Sequence, residues 1–139
     1  MNLSPEMKKT FIDEVRFALK NMKSTTAAAQ KWYFFSAIHA MAQRILNLEY
    51  EPELAFIFQV FQVTHNMVNA RLAALSVGQE AGVGVPDNLF IKIEDEVEKM
   101  IDLLEQGKES YPVLQRLVNI AYSTTGNGYY LYLKGMLKI

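Results

Sequence analysis

The chain contains no cysteine. That excludes a disulfide framework, a thiolate nucleophile and a zinc–thiolate site. Proline and glycine are scarce too, at four and seven residues in 139, so long uninterrupted elements are expected between them. Neither charge is in excess: fourteen Lys and Arg stand against fifteen Asp and Glu, for a net charge of −1. A nucleic-acid binder normally shows a basic face and a high pI. Here the pI is near 6.1, and no nucleic-acid partner is expected. The opening MNLSPEMKK lacks the apolar core of a secretory signal, so the expected location is cytoplasmic.

What is present is helical periodicity. A length of 139 residues suits one domain, 1–139, with a core of its own. A first helix is expected over about 5–22, with Ser4 as its cap and Pro5 at its first position. Met7, Phe11, Val15, Ala18 and Met22 recur there at spacings of three and four, which makes the helix one-sided. Thr25 or Thr26 is the expected cap of a second helix reaching 48, and Pro52 opens a third that runs to about 77. Asp87 is the expected cap of a fourth helix over 88–106, in which Phe90, Ile93, Val97, Met100, Ile101 and Leu104 form an apolar stripe and the run Glu94 to Glu98 a solvated face. Ser110 is the expected cap of a fifth helix from 111, either continuous through STTGNG or broken there, with a hairpin at Asn127-Gly128 as the alternative. The expected fold is all-α, an antiparallel bundle of four to five helices, with the second, third and fifth central.

Charge is unevenly spread. From Trp32 to Ile91 the charged residues are Arg44, Glu49, Glu51, Glu53, Arg71, Glu80 and Asp87, and three of these gather at the turn YEPE. The second and third helices are thus apolar over most of their circumference, the pattern of buried helices. A membrane span would meet Gln59, Gln62, His65, Asn66, Asn69 and Arg71, each costly in hydrocarbon, so no membrane is expected. A small bundle cannot hide two such helices unaided. The simplest cover is a second copy, because homodimer interfaces resemble a core cut in half and are rich in aromatics. A homo-oligomer, most simply a dimer, is the expected partner state.

Narrow polar stripes run along both helices: Ser36, His39, Gln43 and Asn47 on the second, and Gln59, Gln62, Asn66 and Asn69 on the third, with His65 at the edge. If the helices pair about the turn near Tyr50, His39 lies level with Gln62. Such stripes serve as a hydrogen-bond ladder, as a thin solvent-facing strip, or as the wall of a small-molecule pocket. The pocket alternative, a small-molecule binder or an enzyme, assigns Trp32, Ser36, His39, Gln43, Gln62, His65 and Asn66 to ligand binding. No catalytic residue is assigned, since neither His has a carboxylate three or four residues away to orient it.

No metal or cofactor is expected. Ferritin-type di-iron bundles use Glu-x-x-His, and here Ser36 precedes His39 and Gln62 precedes His65 by three. GQEAGVGVP holds Gly78, Gly82 and Gly84 but follows a helix and lacks the Lys-Ser/Thr of a P-loop, so it is expected to be a connection. Tyr129, Tyr130 and Tyr132 suit a terminal helix docking on the bundle. In size and aromatic second helix the chain resembles HEPN-type bundles. Arg44, Arg71 and Arg116 lack the closely following His of that family's motif, so no family is assigned. The expected function is a non-catalytic, self-associating or partner-binding module.

Overall fold

Helix α1, Pro5–Lys23, begins where the sequence places a cap: the Ser4 hydroxyl accepts from the Met7 amide at 3.4 Å, and Pro5 occupies the first turn, where its missing N–H costs nothing. Its buried residues Phe11, Ile12, Val15, Ala18, Leu19 and Met22 follow the helical period. The computed structural model describes residues 1–76 and 85–139. The glycine-bearing connection at 78–84 and the expected helix end at 77 lie outside the described residues.

Helices α2, Ala28–Leu48, and α3, Pro52–Ser76, follow. Ala27, not a threonine, holds the cap position of α2. Thr25 lies two residues before that position; its hydroxyl instead accepts from the Ala27 amide at 3.1 Å and donates to Gln30 Oε1 at 2.8 Å. Helix α4, Leu89–Glu105, starts from Asn88 rather than Asp87, with Asn88 at φ +58° and no side-chain cap. It ends where the amides of Gly107 and Lys108 bond back to the carbonyls of Leu104 and Leu103, a closure that requires the positive φ of +70° at Gly107.

Two helices, not one, complete the chain: α5, Tyr111–Ser123, and α6, Gly126–Leu133. Asn127-Gly128 is therefore the first turn of a helix and not a hairpin. Thr125 caps it, accepting from the Gly128 amide at 3.2 Å. At Gly128 a Cβ would lie 1.6 Å from the Tyr122 carbonyl oxygen, so only glycine lets the two helices meet this closely. The described residues thus form six helices and no strand, an all-helical bundle-like packing that exceeds the expected four to five helices because of this break.

Among the described residues the helix contacts run α1–α2–α3–α5–α4 and back to α1, with α6 against α5. This is a closed ring of five helices around one core. It corrects the expectation that the second, third and fifth helices are central: each of the five turns one stripe inward. On α2 that stripe is Trp32, Phe35, Ile38, Ala42 and Ile45; on α3 it includes Leu54, Ile57, Phe61 and Val68. Phe35 and Phe61 stack at 4.9 Å between ring centroids, both fully buried. The outward side of α2 carries Ala29, Tyr33, Ala37, Gln43 and Leu48, all exposed. Scarcity of charge therefore does not mark α2 as buried on all sides.

The acidic residues also sit differently from the expectation. Glu94 and Glu96 are buried, Glu94 paired with Lys31 and Glu96 with Arg116 and Lys99. Within the run, Glu94 and Glu96 brace α4 against its neighbours, while Asp95 and Glu98 are exposed as expected. Among the described residues no helix is long and apolar enough to cross a membrane.

Candidate functional site

Two polar regions flank the core, and their chemistry differs. The first is the turn between α2 and α3. Glu51 and Glu53 are 6% and 4% exposed there, and both are fully engaged. Glu51 stands before Pro52 and accepts from the Leu54 amide at 2.8 Å, capping α3 with a charge that suits the positive helix start. Its other oxygen accepts from the Asn2 amide at 3.3 Å, and Glu49 accepts from the Ser4 amide at 2.7 Å. Glu53 accepts from both the amide and the hydroxyl of Ser110, at 3.0 and 2.8 Å, and pairs with the amino group of Met1 at 3.2 Å. The Ser110 hydroxyl is thus spent on Glu53 and does not cap α5. These carboxylates lock three chain segments together, which is a structural task. The sequence signal for Glu51 was its place directly before a helix-opening proline; nothing local marked Glu53.

The second region holds Trp32, His39 and His65. Trp32 is buried and meets Phe35, His65 and Phe90 at steep angles, with centroids 4.9, 5.4 and 5.5 Å apart. The two imidazoles lie 5.7 Å apart, and His39 also faces Phe58 at 6.2 Å. His65 Nδ1 approaches Asn66 Oδ1 at 3.5 Å. Burial, and then the neighbouring His65 ring, hold His39 below the ordinary histidine pKa. Among the described residues Trp32 Nε1, His39 Nε2 and the Thr64 hydroxyl are buried and have no hydrogen-bond partner. Each such group costs about 1–3 kcal/mol of desolvation.

Of the seven residues assigned to ligand binding, the structure brings together Trp32, His39 and His65. His39 lies beside Phe58 and His65, and the register is about one turn off the expected one, since Phe35 meets Phe61 and Trp32 meets His65. Gln43, Gln62 and Asn66 point outward and are exposed. Ser36 is half-buried and donates to the Tyr33 carbonyl of its own helix at 2.8 Å. Among the described residues no three His, Asp or Glu side chains converge as metal ligands.

A third feature lay outside the sequence expectations. On the outward side of α1 and α2, Phe17 and Tyr33 are 61% and 70% exposed. Phe34 links them, 6.5 Å from Phe17 and 5.2 Å from Tyr33 between centroids. Tyr33 stands between two depressions. One, of about 550 Å³, is lined by Ser24, Ala29, Gln30 and Phe34 among others. The other, of about 320 Å³, is lined by Glu14, Ser36, Ala37, Ala40, Met41 and Arg44 as well as Tyr33 itself, so Ser36 faces this depression and not the histidines. Neither includes a histidine. The signal for this face was present in the sequence as consecutive rings at 32–35, of which a helix can turn only some inward.

Comparison with known proteins found no matching family model, no matching curated protein and no matching solved structure.

Proposed function

We propose that this chain is a non-catalytic helical module that works by self-association, as a homodimer of antiparallel bundles. The observation that carries this reading is the outward face of α2, where Tyr33 stands exposed beside Ala29 and Ala37 and close to the exposed Phe17 of α1. Exposed rings suit an interaction site, because aromatic residues are enriched at the centres of interfaces. The antiparallel arrangement is supported by ring pairs along α2 and α3: Trp32 with His65, Phe35 with Phe61 and His39 with Phe58, rising numbers meeting falling ones. Self-association couples unfolding to concentration. The thermal midpoint is expected to rise as protein concentration rises; a midpoint constant over a hundredfold dilution series contradicts the reading.

A second reading, small-molecule binding beside His39 and His65, is favoured by one observation: the unpartnered Trp32 Nε1 and His39 Nε2, which a ligand with both donor and acceptor groups would satisfy. Its test is a thermal-shift screen over a metabolite panel. A stabilising compound whose effect disappears in His39→Ala supports it, and a panel without a hit counts against it.

A further inference from the structure

We propose that the α1/α2 face is a two-fold contact between two copies of this chain, in which Tyr33 of each copy enters a groove beside the other copy's Tyr33 and Glu14 of each meets Arg44 of the partner subunit. The proposal rests on the self-association reading and deepens it by naming the surface.

A two-fold interface uses the same patch on both subunits, so whatever protrudes must find its own complement within that patch. This face meets that demand twice over. In shape, Tyr33 borders two depressions whose linings include Ala29 on one side and Ala37 with Ala40 on the other. One patch therefore holds both a knob and a hole. In charge, Glu14 on α1 and Arg44 on α2 line the same groove, and among the described residues neither has an ion-pair partner. Arg16, Lys23 and Lys31 near the same helix pair instead with Glu105, Glu98 and Glu94. An unrelated partner would need no such internal match of knob with hole and plus with minus; a second copy requires both. Tyr and Arg are also the side chains most often found carrying the binding energy at the centre of interfaces.

Because each Glu14–Arg44 contact runs between subunits, the pairing can be tested in trans. Glu14→Arg places Arg opposite Arg at both contacts of its homodimer, and Arg44→Glu places Glu opposite Glu. Mixed together, the two variants form a heterodimer in which both contacts are of opposite charge. Sedimentation velocity is run on the unaltered chain, each variant and their equimolar mixture at one concentration and low salt. Circular dichroism checks folding, and Tyr33→Asp serves as a variant independent of these charges. The expected result is a dimer for the unaltered chain, dissociation constants raised about tenfold or more for each variant alone, dimer restored in the mixture, and monomer for Tyr33→Asp. An intramolecular effect cannot produce rescue in trans. If the unaltered chain dimerises but the folded variants dimerise equally well, or the mixture does no better than its components, this face is not the contact and self-association stands on another surface. If the unaltered chain is monomeric at about 200 μM, a concentration at which even weak specific complexes populate, both the interface and the self-association reading fail.

Discussion

Helix α1 has two seams, and they are finished differently. Along α4 it is stapled by charge: Arg16 bonds Glu105 and approaches Asp102 at 3.6 Å, and Lys23 reaches Glu98 at 3.0 Å. Along α2 the outward edge is occupied by rings and by Glu14 and Arg44, which have no ion-pair partner among the described residues. Within one chain the first seam is complete and the second is open. Charged helices are usually taken as the ones that face solvent, and uncharged ones as the ones hidden in the core. Here the charged seam is closed by the chain itself, and the uncharged seam leaves Phe17 and Tyr33 exposed.

The contrast can be attacked from its common foundation. Both seams depend on the core that orients α2, and Phe35→Ala is expected to cost about 3–5 kcal/mol, as large-to-small changes at fully buried rings do. Denaturant unfolding measures it; a loss under 1 kcal/mol would mean that the inward stripe does not fix which rings point out. On the open seam, Tyr33→Asp is expected to weaken association about thirtyfold or more, as loss of a central aromatic anchor does, while leaving the far-UV spectrum unchanged. On the closed seam, Arg16→Ala removes a half-exposed pair worth about 1 kcal/mol or less. Its effect should fade with salt and leave association untouched, and a change in association would erase the distinction between the seams.

The smallest effect concerns pH. His39 is held below its ordinary pKa in the folded chain, so the unfolded chain takes up the proton first. Its contribution to stability is intact above a pH of about 6.5, the unperturbed histidine value, and is lost as the pH falls from there. Thermal midpoints at neutral and mildly acidic pH should therefore separate less in His39→Gln than in the unaltered chain; equal separation would show that His39 carries none of the acid sensitivity.

How legible all this was depended on asymmetry. On α1 and α4 the apolar period is sharp, and Phe11, Val15, Ala18, Met22, Ile93, Val97, Met100 and Leu104 are buried where the spacing puts them. On α2 and α3 almost every position is apolar or neutral, so hydrophobicity alone could not say which side faces in. Of Tyr33, Phe34 and Phe35, the middle one is half-buried, and it took tertiary packing to bury Phe35 and expose Tyr33. The polar stripes misled for a related reason: a helix surface short of charge uses Gln and Asn outside, as at Gln43, Gln62 and Asn66. Distance from the turn did not fix the histidine level, since Trp32 meets His65 and Phe35 meets Phe61 about one turn from the expected register, and which imidazole nitrogen lacks a partner is a matter of side-chain packing. The buried Glu53 was invisible because its partners, Met1 and Ser110, come from distant parts of the chain.

The mass of the unaltered chain in solution, followed by light scattering from low to high micromolar concentration, tests the central claim most directly. The account predicts a concentration-dependent rise towards twice the chain mass of 15.9 kDa. A mass that stays at one chain throughout would contradict it.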